Sequence, residues 1–346
     1  MKWLRDNLFP GWVSGVFSAL LIVILVKSLF AFVDWAFLEA IWRADANACR
    51  AAKGACWGLI TEKHRFILFG TYPYEQHWRP AAASVLLIAL WTFSAFRAFW
   101  KWWLTLVWFF GLALIGMLMW GGVFGMPYVE NERWGGLILT LLLSTFGVAF
   151  AFPLSILLAL GRRSDMPIIR ALCVGYIELI RGVPLISVLF MASVMFPLFL
   201  PEGLTIDKLL RAQVGFILFS AAYMAEVVRG GLQAIPKGQY EGAMSLGLNY
   251  WQMNVFIVLP QALKIVIPGI VNTFIGLFKD TTLVAIVGIF DLIRTIEASR
   301  VDPVWAAPTI NTTGYAFAAI FYFIFCWGMS RYSIAVERRL AAGQHR

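Results

Sequence analysis

Charge is scarce in this chain. Only 14% of its 346 residues are Asp, Glu, Lys or Arg, against 61% hydrophobic ones. The length alone would allow two or three soluble domains, but so dilute a polar surface excludes them. The residues of common catalytic sites are equally sparse. The three histidines are His64, His77 and His345, and none falls within an apolar run. Neither H-E-x-x-H nor G-x-S-x-G occurs, which argues against an intramembrane hydrolase. G-x4-G-K-[ST] is absent too, so the chain has no phosphate loop for a nucleotide. Segments of about ten residues with strict alternation, the mark of an outer-membrane barrel, are also missing.

What is plentiful is apolar length. The chain has 16 Trp and 29 Phe, and its mean hydropathy is +0.78. Runs of roughly 20 residues, enough to cross about 30 Å of hydrocarbon as helix, recur throughout. They predict spans at about 12–33, 82–97, 102–120, 135–160, 168–199, 211–229, 264–289 and 313–335. The first run, from Trp12 to about Phe32, has no small-x-small cleavage site and reads as a retained span.

Eight spans put both termini on one side, and the positive-inside rule selects it. With the termini cytoplasmic, the inner segments hold fourteen Lys and Arg, among them Lys2, Arg5 and Arg346, and the short outer loops five. The net charge of +9 therefore reports topology and gives no support for a nucleic-acid partner. The expected fold is all-α: a polytopic inner-membrane protein of about eight transmembrane helices, multi-pass in the lipid bilayer. A long outer loop covers about 34–80. It carries Cys49 and Cys56, which either close a small disulfide loop in an oxidising compartment or remain two thiols. Cys173 and Cys326 fall within spans and read as packing residues.

One segment breaks the apolar pattern: 230–262, "GGLQAIPKGQYEGAMSLGLNYWQMNVFIVLPQA". It lies on the expected cytoplasmic side and is too long for a tight turn. A helix is predicted from about Gln239 to Leu246, stopped by Gly247 as a left-handed C-terminal residue. A second is predicted from Tyr250 to Leu259, up to Pro260. Two readings follow, an amphipathic connector resting on the headgroups or a docking element for a cytoplasmic partner.

The spacing resembles something specific. Glu241-Gly242-Ala243, three residues, Gly247, nine residues, then Ile257-Val258-Leu259-Pro260 looks like the EAA loop of ABC-importer permeases, E-A-A-x3-G-x9-I-x-L-P. Gly242 replaces the first Ala, which lowers local helix propensity by about 1 kcal/mol. "GRRSDMP" (161–167), "YIELIRGVPL" (176–185), "AAYMAEVVRGGLQAIPKGQYE" (221–241) and "LPQALKIVIPGIVNTFIGLFKDTTLVAIVG" (259–288) resemble permeases for polar amino acids. The resemblance covers about 135–336. The three spans and outer loop ahead of it look like the M permease subunit of general L-amino acid importers.

That resemblance implies a division into an extension (1–134), a five-helix MetI-like permease core (135–336) and a cytoplasmic tail (337–346). It implies a permease that is no enzyme itself and imports L-amino acids by alternating access. ATP and Mg would be held by a separate ABC ATPase dimer docked on the loop, with no cofactor in this chain. A second homologous permease subunit and a periplasmic amino-acid-binding protein would complete the assembly, the latter near 200–210 and 290–312.

Ionisable residues inside spans are costly and either pair or serve function. Arg181 and Lys279 are candidate binders of a substrate carboxylate; Glu178, Glu226 and Asp280 are candidate acceptors for its ammonium. Asn272 and Thr273 are further polar candidates on the span of Lys279. The competing reading is pairing between helices, with Glu226 and Arg229 three apart on one face. Lys27 is expected to snorkel or pair. The alternative function, an ion-coupled secondary amino-acid transporter, would call for an internal inverted repeat, which is not visible, and leaves the 241–260 spacing unexplained.

Overall fold

The computed structural model describes residues 11–342, and the expectations resting on Lys2, Arg5, Arg346 and the end of the 337–346 tail lie outside them. Among the described residues the fold is helical, and the only strand-like pairing is two isolated bridges. Among these residues seven helices are long and apolar enough to span a membrane, or eight with one bent pair counted as a span.

Two compact units divide the chain, one reaching up to His64 and including Ile296–Phe317, the other formed by Arg65–Thr295 with the chain from Ala318 onward. The first holds α1 (Trp12–Val33), α2 (Ala46–Ala51), and the start of α3 (Trp57–Phe69). No residue of α1 is buried by protein, so its surface requires lipid or a partner; Lys27 sits on it exposed.

Beyond α1 a small cluster forms from Cys49, Cys56, Leu59, Trp305 and Ile310. Cys49 and Cys56 are joined as a disulfide, Cα atoms 5.5 Å apart. The Arg50 guanidinium donates to the carbonyls of Pro303 and Val304 at 3.2 and 2.8 Å. Lys63 pairs with Asp302 at 2.6 Å. The hydrogen bond from Lys63 holds the Asp302 carboxyl below the usual carboxylate range, helped by the Val304 N–H and the Lys63 charge, against a smaller opposing effect of burial.

The second unit is built around α9 (Lys208–Gln233), which packs on α6 (Gly136–Arg162) and α12 (Leu259–Asp280). Small residues let these backbones approach. A Cβ at Gly231 would come within 2.5 Å of the Ala262 carbonyl oxygen, so α9 and α12 touch backbone to backbone there. The hairpin α4 (Trp78–Ala95) and α5 (Trp103–Trp120) is not a free appendage. Leu87, Leu90, Ile115 and Met119 share one cluster with Ile138, Leu141 and Phe278. The packing therefore runs across position 134, where the sequence suggested a boundary.

Several spans differ from expectation for identifiable reasons. The 168–199 run is not one straight helix but a pair, α7 (Pro167–Arg181) and α8 (Leu185–Phe190, continued by irregular turns to Phe199), bent by 103°. The break falls at Gly182-Val183-Pro184, where Pro184 has no N–H to continue the ladder. Pro268 lies inside a continuous α12. After α12 the chain tightens into a 3₁₀ turn, Thr281–Val287, then enters α13 (Leu292–Arg300) and the long α14 (Ile310–Ala342).

The disulfide predicts a thiol count. Denatured protein alkylated without reductant should gain two labels, at Cys173 and Cys326, and four after reduction, read by intact mass. Closing so short a loop contributes about 2–3 kcal/mol, so Cys49→Ala should lower the unfolding stability of its unit by that order. The depressed Asp302 pKa gives a pH dependence of definite sign. The Lys63–Asp302 contribution is present above the unfolded Asp value, about 3.9, and is lost as pH falls through the lower folded value. Asp302→Asn should remove that acid-side loss in a pH-stability profile.

Candidate functional site

The polar segment folds at one end of the second unit as two short helices with matched ends. The first, α10, runs Lys237–Ser245 after Pro236. It stops in a Schellman arrangement: the Leu248 N–H donates to the Ala243 carbonyl at 3.3 Å and the Gly247 N–H to Met244 at 2.9 Å. Gly247 has φ +72°, the left-handed conformation that only glycine adopts without strain.

The next helix, α11 (Tyr250–Met253), starts on a capping box. Asn249 accepts from the Gln252 N–H at 2.9 Å, and the Gln252 side chain accepts from the Asn249 N–H at 3.0 Å. A short linker thus satisfies the backbone at both helix ends, which makes the turn stiff.

The second helix does not end at Pro260. A π turn over Asn254–Val258 leads directly into α12, with Pro260 in its first turn, and helical structure is continuous from Tyr250 to Val287. Carried straight through, an α-helix would press the Pro260 ring against the Phe256 carbonyl; the wider π turn relieves that. The segment is consequently the rigid start of a span. Gln261 ties the two arms, donating to Gln239 at 3.0 Å and to the Ile257 carbonyl at 2.8 Å.

The two faces of this element differ. Ala243 is buried, and Tyr240, Met253, Val258 and Leu259 pack with Leu160, Ile177, Val228 and Ala262. Outward point Met244, Leu246, Trp251 and Phe256, the last 70% exposed. Glu241 is exposed and makes no ion pair among the described residues; its backbone carbonyl accepts from Ser245. Gly242 has nothing within 4 Å of where a Cβ would stand. The element presents an unpaired acid and an apolar surface on a stiff frame.

Immediately inside lies the charge cluster. Arg229 grips Glu226 through Nε and Nη2, the closest contact at 2.8 Å. Arg162 reaches both Glu226 at 3.1 Å and Glu178 at 2.8 Å, and Arg181 stands 3.6 Å from Glu226. Three arginines thus meet two glutamates and join α6, α7 and α9. The neighbouring Arg163 donates to the Leu232 carbonyl at 2.8 Å and the Tyr240 hydroxyl at 3.1 Å, which links α6 to α10.

Of the ionisable and polar candidates, the structure brings together Glu178, Arg181 and Glu226, and it pairs them. Lys279 and Asp280 form no ion pair among the described residues. Asn272 and Lys279 are exposed on α12 seven residues apart, hence on one face, while the Thr273 hydroxyl is spent on the Gly269 carbonyl. Sequence reasoning missed Arg162, Arg163 and Tyr240, because the arginines read only as topology charges. The Asn249-x-x-Gln252 capping box was readable in the sequence and was also overlooked.

A five-helix core carrying this helix-turn-helix defines the class, an importer permease. The family described as "Binding-protein-dependent transport system inner membrane component" matches residues 151–341, and the chain belongs to it. The chain is 49% identical to the inner membrane amino-acid ABC transporter permease protein YhdY of Escherichia coli (strain K12), over 99% of this chain and 94% of that protein. It is 39% identical to the glutamate/glutamine/aspartate/asparagine transport system permease protein BztC of Rhodobacter capsulatus, over 98% and 93%. A crystal structure of an amino acid ABC transporter with histidines aligns with a TM-score of 0.52 at 30% identity, over 59% of this chain and 92% of that one. The chain is therefore an integral membrane permease of the polar amino-acid ABC-importer type, and not itself an enzyme.

Glu226→Ala should leave three arginines without their shared partner and cost about 3 kcal/mol of stability in detergent. Glu178→Ala, at a side chain 54% exposed, should cost under about 1 kcal/mol. Equal losses would contradict the central place of Glu226. Gly242→Ala meets no steric obstacle and should stabilise α10 by about 1 kcal/mol, read as slower backbone hydrogen exchange over 237–245.

Proposed function

We propose that this permease moves L-amino acids from the periplasm to the cytoplasm by alternating access, driven by an ABC ATPase dimer that docks on α10–α11. The observation that carries the reading is the outward face of this element: the unpaired Glu241 beside exposed Met244, Leu246, Trp251 and Phe256. Lipid headgroups would suit the aromatics alone but give no role to an acid. A protein socket suits both. Glu241, Gly242, Ala243 and Gly247, with Ile257, Leu259 and Pro260 behind them, form the docking loop. ATP and Mg belong to that partner.

Force applied at Glu241 has two rigid routes into the membrane, through the π turn into α12 and through Tyr240–Arg163 into α6. Such a lever needs only one cytoplasmic contact to bias two membrane states. The polarity of the assembly follows the positive-inside count, with both termini and the loop cytoplasmic.

The substrate route is assigned to the exposed face of α12. Asn272 and Lys279 are costly against lipid, and a second homologous permease subunit facing them would leave a polar path between the two. Lys279 suits a substrate carboxylate and Asp280 its ammonium. Glu178, Arg181 and Glu226 are assigned to holding the bundle. Substrates of the kind named for BztC, acidic and amide amino acids, fit this reading. A periplasmic binding protein would use the unit in which 34–64 packs with 296–317, braced by the disulfide and Arg50.

The test is co-purification of the tagged permease with its ATPase. Glu241→Lys should reduce ATPase recovery at least about fivefold, with uptake falling in parallel, while the permease itself remains folded. Unchanged recovery and unchanged uptake would remove the docking assignment. Lys279→Gln should retain the ATPase and lower uptake; full uptake would exclude it from the route.

A further inference from the structure

We infer that the hairpin between α4 and α5 holds the headgroup of one anionic phospholipid of the inner leaflet. An open groove of about 630 Å³ lies there, lined by Ser94, Trp100, Lys101, Leu104, Thr105 and Trp108. Its walls are fixed by one serine. The Trp100 indole N–H donates to the Ser94 carbonyl at 2.8 Å, and the Trp108 indole N–H to the Ser94 hydroxyl at 2.8 Å. That hydroxyl in turn donates to the Leu90 carbonyl at 2.8 Å. Both indoles are thus held by their polar ends, and both line the groove. The polar groups left for a ligand are the Lys101 ammonium, exposed and without an ion pair among the described residues, and the Thr105 hydroxyl. A cation and a hydroxyl beside two aromatic walls suit a phosphate joined to acyl chains.

Charge selects the kind of lipid. No acidic residue occurs between Glu75 and Glu130, and the cations in that stretch are Arg79, Arg97 and Lys101. Arg79 is buried at the other end of α4, held by the carbonyls of Leu118 and Pro127. The hairpin therefore presents Arg97 and Lys101 with no counter-charge in its own sequence, which favours an anionic over a zwitterionic headgroup. Exposed Phe96, Trp100 and Trp102 set the hairpin at headgroup depth. The choice of leaflet rests on the cytoplasmic orientation proposed above.

The test uses the full permease co-purified with its partners, delipidated in detergent and titrated in native mass spectrometry. The probes are phosphatidylglycerol and phosphatidylcholine with identical chains. One phosphatidylglycerol should be retained about fivefold more tightly than phosphatidylcholine, the effect of about one cation at a headgroup. Lys101→Gln should abolish that preference, and Arg170→Gln, an exposed cation on α7, should keep it. Equal binding of both lipids, or an unchanged preference in Lys101→Gln, overturns the site. A separate arm labels Ala98→Cys on intact cells with a membrane-impermeant maleimide. Protection agrees with the orientation, whereas labelling overturns the orientation and the leaflet assignment together. A failed lipid preference with Ala98→Cys protected removes the lipid site alone.

Discussion

Glu226 is the point on which this end of the molecule depends. A carboxylate within a packed membrane bundle is stable only with close cations and satisfied oxygens. Arg229 supplies both from its own helix, and Arg162 and Arg181 add the tie to two others. Helices α6, α7 and α9 are thereby fixed relative to one another where they approach the polar segment. Apolar packing fills space without direction, whereas charge-assisted hydrogen bonds fix particular side chains against one another. The cluster gives a bundle of small residues and leucines one register.

From that point the geometry propagates outward. Arg163, next to Arg162, reaches the Leu232 carbonyl and Tyr240, so the same helix end that meets Glu226 also sets α10. Close backbone approach at Gly231 and Ala262 sets α12 against α9. Between α10 and α12, the Schellman stop and the capping box leave no slack in the turn. Under the proposed docking, a mechanical input at the exposed face would reach the spans through this closely hydrogen-bonded turn. The proposed alternating access would then draw its flexibility from elsewhere in the bundle, where α7 and α8 meet at a 103° break at Gly182-Val183-Pro184.

Much of this was legible in the sequence because lipid imposes simple rules. Long apolar runs gave the spans, and Gly247 marked its turn because a left-handed residue there has few alternatives to glycine. The 241–260 spacing carried the family, which the relatives then showed. What was not legible depended on partners distant in sequence. Arg162 and Glu226 lie far apart along the chain, and nothing local announces their contact. The run 168–199 concealed its bend because hydropathy averages across a Gly-Val-Pro break. Pro260 misled in the other direction. It reads as a stop, but a π turn upstream lets the helix continue through it. The candidate polar residues divided according to pairing, a property that spacing does not report: Glu178, Arg181 and Glu226 enter ion pairs that tie helices together, while Asn272 and Lys279 stand exposed on α12.

The central claim is that energy enters this permease through a separate ATPase on the helix-turn-helix. Reconstitution into proteoliposomes tests it most directly, measuring labelled L-amino-acid uptake with and without the ATPase subunit, ATP and an imposed ion gradient. The account predicts uptake that requires both the ATPase and ATP and is indifferent to the gradient. Uptake that persists without the ATPase and follows the ion gradient would contradict it and establish an ion-coupled transporter instead.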